Sequence, residues 1–169
     1  MDAPADVLDI FLQPGEFYFG EDRTRIRTLL GSCVAVTLWH PARKFGGMSH
    51  FMLPSRPSFR GGQTLDGRYA DDVMFLFRRE LTRTGTRPGE YRVKVFGGGR
   101  MFAFAARTGS TLDIAERNIQ AARQLLGEHG FSVSVEDVGG DGHRNVMLDL
   151  WSGDVWVRRV KAEQRRRSA

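Results

Sequence analysis

Two apolar stretches joined by a short turn constrain this chain most. Residues 33–40, CVAVTLWH, alternate: Val34, Val36 and Leu38 fall on one side, and Ala35, Thr37 and Trp39 on the other. Successive side chains of a strand point to opposite faces, so the stretch reads as a half-buried β-strand. Pro41 ends it and residues 42–45 supply a turn. Residues 46–53, GGMSHFML, then resume as a second strand, closed by Pro54. The pair predicts a β-hairpin. With the turn centred near residues 42–43, a residue near 50–52 lies across from Cys33.

Further short strands are expected at residues 17–19, 26–30, 91–96, 131–138, 144–150 and 154–160. The last two are joined by a tight turn at Trp151-Ser152-Gly153. Residues 69–83 carry Val73, Met74, Phe77 and Leu81 at helical spacing, and residues 111–129 carry Ala115, Ile119, Ala122, Leu125 and Leu126. Asp113 and Glu116 have the spacing of a capping box, and Gly130 offers a helix stop. Residues 55–68, rich in Gly, Ser and Arg, read as a mobile surface loop of a length often tied to function. Strands dominate, two long helices interrupt them, and 169 residues suit one domain. The expected class is a single α+β domain. Residues 1–15 form an N-terminal extension, 16–158 the domain and 159–169 a basic tail.

Composition narrows the function classes. A hydrophobic share of 41% against 27% charged residues describes a globular chain rather than a disordered one. No apolar run approaches the roughly 20 residues of a membrane span, so no membrane insertion is expected. The start, MDAPADVLDI, lacks the basic and apolar regions of a secretory signal. The net charge of +5 is local: residues 158–169 hold six basic residues and one acid, which accounts for all of it. A basic tail on a neutral body reads as a solvated end, not as a nucleic-acid site.

The single cysteine, Cys33, rules out an intrachain disulfide and suits a reducing compartment. It follows Gly31-Ser32 at the start of the first hairpin strand. A nucleophile needs exposure, a nearby base and free backbone N–H groups, and a Gly-Ser turn can supply the first and the last. The base nearest neutrality is His, which leaves His40, His50, His129 and His143. His50 is favoured, because the hairpin brings it beside Cys33. His40 stands at the far end of the strand. His129 ends a helix and suits a partner for its dipole. His143 lies in a Gly-rich loop. A lone Cys is usually a small buried hydrophobe and a lone His usually a satisfied core residue, so spacing alone leaves both readings open. Gly97-Gly98-Gly99 lacks the Lys-Ser/Thr of a phosphate loop; these glycines suit a strand end that passes close to the Cys33 turn. Trp39, Trp151 and Trp156 suit packing.

Residues 28–54, TLLGSCVAVTLWHPARKFGGMSHFMLP, resemble the signature of the CheD family of chemoreceptor glutamine deamidases. The likeness continues in RYADDVMFLF (68–77), VKVFGGGRMF (93–102), the helix with Glu116-Arg117-Asn118, and VEDVGGDGHRNVMLDLWSGDVWV (135–157). The resemblance implies two packed mixed β-sheets with two long helices on the outside. It implies Cys33 as nucleophile and His50 as its partner. The family's third residue is a Thr shortly before the Cys on the preceding strand. Position 27 is Arg here, so Thr28 takes that orienting role. A one-residue shift would turn its side chain to the other sheet face. The implied activity is hydrolysis of glutamine side chains to glutamate on methyl-accepting chemotaxis receptors, through a thioester, with His50 expected to draw off the Cys33 proton and leave a thiolate–imidazolium pair. A cytoplasmic monomer without metal or cofactor is expected, with a CheC-type phosphatase as a further partner. The alternatives are a non-catalytic regulator that only binds such a phosphatase and a nucleic-acid or acidic-surface binder that uses the basic tail.

Overall fold

The computed structural model describes residues 1–58, 62–101 and 113–161. In chain order they form β1 (Leu8–Leu12), β2 (Phe17–Gly20), β3 (Thr24–Leu30), β4 (Val34–His40), β5 (Phe45–Ser49) and helix α1 (Ala70–Thr84). Then come β6 (Arg92–Gly97), helix α2 (Ile114–Glu128), β7 (Val133–Val138), β8 (His143–Asp149) and β9 (Val155–Val160). No helix among the described residues is long and apolar enough to cross a membrane.

The strands make two sheets, ordered β1-β3-β8-β9 and β2-β5-β4-β6-β7. Both are mixed, because β1 runs parallel to β3 and β6 parallel to β7. One core lies between the sheets, where Leu12, Ile26 and Leu148 meet Ala35, Trp39 and Met48. A second core lies on the other face of the five-stranded sheet, where Val34, Val36 and Leu38 meet Val73, Phe77 and Ile119 of the helices. The layers therefore run sheet, sheet, helices. The expected α+β domain with two sheets and outer helices is what the chain forms.

The middle position of the five-stranded sheet corrects one expectation. Strand β4 is not half-buried: all seven of its residues are buried. One set of alternating side chains packs on the facing sheet and the other under the helices, so neither face meets water. Trp39 belongs to the inter-sheet core and donates from its indole nitrogen to Leu150 O at 2.8 Å. Gly153, at φ 77°, leaves room for that ring, since a Cβ there would stand 2.3 Å from it.

Strand β1 has no counterpart in the sequence reading and lies within the residues assigned to the N-terminal extension. It pairs with β3 from Leu8↔Thr24 to Leu12↔Thr28, and Leu12 is buried. The expected capping box does not form. Asp113 sits at φ 77°, in the left-handed region, and its side chain makes no cap hydrogen bond. An N-cap carboxylate reaches the first helical N–H groups from an extended backbone, which this residue lacks. Residues 111–112, expected to open that helix, lie outside the described residues. The surface loop at 55–68 is tied to α1 at its described ends: Asp72 accepts from Asp66 N at 2.8 Å and pairs with the Arg56 guanidinium. Of the basic tail, Arg159 and Val160 belong to β9, and residues 162–169 lie outside the description.

Phe77 is fully buried and meets Phe17 edge-on, with ring centroids 4.8 Å apart. Phe77→Ala is expected to cost ~3–5 kcal/mol in urea unfolding, as an unfilled core cavity does. A cost near zero would mean that α1 is not anchored through this contact.

Candidate active site

Backbone pairing sets the geometry. Val34 and Phe51 exchange both hydrogen bonds, at 3.1 and 3.0 Å, and extend the register that pairs Thr37 with Met48 and Leu38 with Gly47. One step on, Ala35 faces His50; one step back, Cys33 faces Met52. Cys33 and His50 are thus diagonal neighbours on one face of the sheet. For such pairs the Cα separation is roughly 7–8 Å; the register brings the two onto one face, and no hydrogen bond joins Cys33 Sγ to the His50 ring. The shared face looks toward the four-stranded sheet, and Cys33 packs against the inter-sheet core.

His50 meets the third sequence candidate there. Its Nδ1 lies 2.6 Å from Thr28 Oγ1, which reaches across from β3 in the other sheet. Thr28 is buried, so its side chain points inward. The same hydroxyl stands 2.9 Å from Leu12 O. A hydroxyl has one proton to give, and a carbonyl can only accept. Thr28 therefore donates to Leu12 and accepts from His50 Nδ1–H. That assigns the tautomer from the network: Nδ1 carries the proton and Nε2 keeps its lone pair.

Burial decides the charge states. It lowers the His50 pKa from 6.5 to about 4, against a smaller opposing pull from the Glu16 carboxylate. Burial also pushes the Cys33 thiol above its ordinary value. At neutral pH the pair at rest is thiol and neutral imidazole, not thiolate and imidazolium.

The Cys33 turn is held by glycine contacts. Gly98 N donates to Cys33 O at 2.9 Å and Gly99 N to Gly31 O at 2.8 Å. Gly97 has φ 108°, and a Cβ on it would stand 2.3 Å from Cys33 O. This close approach is what the glycine run predicts. Among the described residues, the N–H groups of Ser32 and Cys33 donate to no acceptor.

Two buried polar residues reach this turn that sequence reasoning gave no role. Arg144 donates to Gly97 O at 3.2 Å and to Asp137 at 3.0 Å, which fixes the strand end behind Cys33. Asn118 donates to Ser32 O and Met52 O. The available signal was phase. Asn118 falls within the apolar stripe of α2, and Arg144 alternates with Val146 and Leu148 on the inward face of β8.

The other histidines stand apart. His40 accepts from Arg43 N at 3.2 Å and lies 3.6 Å from Glu90, at the far end of β4. His129 caps α2, where a cation would suit the dipole, yet burial and then Arg78 lower its pKa, so it is the neutral ring that meets Phe75. His143 begins β8, opposite Val160. No group of three or more His, Cys, Asp or Glu among the described residues could hold a metal ion.

The family described as CheD chemotactic sensory transduction matches residues 52–159. A probable chemoreceptor glutamine deamidase CheD 3 of Dechloromonas aromatica is 48% identical over 155 residues, spanning 92% of this chain and 89% of that protein. A probable chemoreceptor glutamine deamidase CheD of Pseudomonas savastanoi pv. phaseolicola is 48% identical over 163 residues, 96% of this chain and 91% of that one. One of the same description from Pseudomonas syringae pv. syringae is 46% identical over 169 residues, 100% and 94%.

The buried imidazole makes stability depend on pH. The unfolded chain takes up its proton below about pH 6.5 and the folded chain only near pH 4, so this contribution is complete above 6.5 and is lost as pH falls through that window. Between about pH 7 and pH 4, wild-type unfolding free energy should fall by ~3 kcal/mol more than that of His50→Gln. Parallel curves from urea titrations would contradict a depressed His50 pKa.

Proposed function

The chain belongs to the CheD family, and from that membership we propose that it hydrolyses glutamine side chains of chemoreceptors to glutamate, with Cys33 as nucleophile and His50 as base. The observation that carries the reading is the Thr28–His50 hydrogen bond beneath the hairpin that bears Cys33. It leaves the imidazole with its base lone pair on Nε2, away from Thr28.

Both groups are neutral at rest, so the proton moves as the substrate is attacked. Sγ of Cys33 adds to the carboxamide carbon while its proton passes to Nε2 of His50. The oxyanion is met by the N–H groups of Ser32 and Cys33, which have no acceptor among the described residues. The imidazolium gives its Nε2 proton to the departing ammonia and leaves a thioester. His50 then deprotonates a water, which adds to the thioester carbon and releases glutamate and the thiol. One amide and one water become one carboxylic acid and one ammonia, and the receptor gains a negative charge on ionisation. Thr28 acts throughout on the far side of the ring. By accepting from Nδ1–H it holds the ring in place and stabilises the cation formed in each half-reaction.

The substrate is an exposed glutamine on a helix of the receptor's cytoplasmic coiled coil, so the protein works in the cytoplasm. A CheC-type phosphatase is a second proposed partner.

Intact-mass spectrometry of a purified receptor cytoplasmic fragment tests the reading. Wild-type protein should add about 1 Da per modified glutamine, and Cys33→Ala and His50→Ala should add none. Thr28→Val should stay folded and lose ~10- to 100-fold in kcat, as a base without its orienting partner does. Activity retained by Cys33→Ala would refute the thioester route. No change with wild-type protein on its own receptors would point instead to the regulator that only binds a phosphatase.

A further inference from the structure

We propose that Asn118 is a positioning residue of this site, whose side-chain amide pins the Cys33 turn to the strand that carries His50. The inference rests on the catalytic reading above and adds to it a residue from outside the hairpin.

Helix α2 buries Ala115, Ile119, Ala122 and Leu126 against the five-stranded sheet, and Asn118 is fully buried in the same stripe. Its Nδ2 donates to Ser32 O at 3.2 Å and to Met52 O at 2.9 Å. The two carbonyls flank the nucleophile: Ser32 precedes Cys33, and Met52 stands across from it. They also mark where the hairpin comes apart. The ladder of β4 and β5 ends at Val34 and Phe51; beyond it, Met52 N and Leu53 N both turn to Arg68 O, at 2.9 and 3.1 Å. A continued ladder would have given Ser32 O a partner on the opposite strand. The Asn118 amide takes that place, and its two protons span the gap between the segments.

The amide can sit only one way round. Turned over, its oxygen would face two carbonyl oxygens. In the observed orientation Oδ1 is buried and has no partner among the described residues. A leucine would fill similar space and leave no such oxygen, but it would strand both carbonyls and release the turn from the strand. Asn118 therefore gives up one hydrogen bond of its own to hold the two segments together. Being fully buried, it does not touch the substrate. It acts through the backbone on either side of Cys33, so its loss should appear in kcat and not in KM.

The test uses the full chain as wild type, Asn118→Leu and Asn118→Asp; the last keeps the shape but leaves at most one donor proton for the two carbonyls. Deamidation kinetics on the receptor fragment, Tm, and the pH dependence of Cys33 alkylation by iodoacetamide are measured together. Both variants should lose ~10- to 100-fold in kcat, the scale of an ångström of misplacement, with KM within about twofold. The alkylation midpoint should move down toward about 8.5, the ordinary thiol value, as the freed turn meets water. Folded variants with wild-type kcat and an unmoved midpoint would overturn the proposal. So would a raised KM at unchanged kcat, which would make Asn118 a substrate contact. If neither variant folds, Asn118 is a stability residue and the proposal fails. If wild-type protein does not deamidate, the catalytic reading fails separately, and the alkylation midpoints still decide whether Asn118 positions Cys33.

Discussion

Everything at the site depends on the register between β4 and β5. The double hydrogen bond between Val34 and Phe51 fixes which side chains face the other sheet and which face the helices. A slip of one residue would exchange the two sets. His50 would then point among the helices, where Val34, Val36 and Phe51 now pack, and Cys33 would lose its diagonal neighbour. The register is expensive to change, because both faces of β4 are buried and every exchanged residue would land in the wrong core. The precision of the site is thus a by-product of a strand that nowhere meets water.

That constraint places the imidazole between two sheets, and the second sheet supplies its orientation. Thr28 belongs to β3, and its hydroxyl spends its proton on Leu12 of β1. The edge strand of the four-stranded sheet therefore sets the tautomer of a histidine in the five-stranded sheet. Burial has an electrostatic consequence. Cys33 and His50 are both shifted toward their neutral forms, so these two side chains form no ion pair at rest and carry no desolvation cost for one. In the proposed reaction, charge develops on the pair only as the substrate is attacked. Arg144 is the buried charge the site does hold, and it is met by Asp137 and the Gly97 carbonyl.

Much of this arrangement was legible in the sequence, for identifiable reasons. The hairpin showed itself in two apolar runs separated by the turn at Pro41 and closed by Pro54, and both long helices in their apolar stripes. Gly97 to Gly99 showed themselves because glycine permits the backbone approach that Cys33 O requires. The face taken by Thr28 was there to read, since it shares its phase with Ile26 and Leu30 and opposes Arg25 and Arg27. Its contact with His50 was not, because it crosses from one sheet to the other. Strand β1 was hidden because Leu8 and Phe11 stay exposed at the sheet edge, so LDIFL shows no clean two-sided pattern. Asp113 misled because capping depends on a backbone angle that residue types do not determine. Asn118 was visible as one polar break in an apolar stripe, but its partners on two separate segments appear only once the chain is folded.

The most direct test of the central claim is the protonation of His50 itself. Nitrogen NMR on protein labelled at histidine, with His50→Gln used to assign the signals, reports which ring nitrogen carries the proton and where the ring titrates. The account predicts a neutral ring at pH 7, protonated at Nδ1 and bare at Nε2, with a midpoint near 4. Loss of the Nδ1–H form in Thr28→Val would complete the link to the hydroxyl. A ring protonated at Nε2, or one that titrates near 6.5 as in water, would contradict it and remove His50 as the base poised for Cys33.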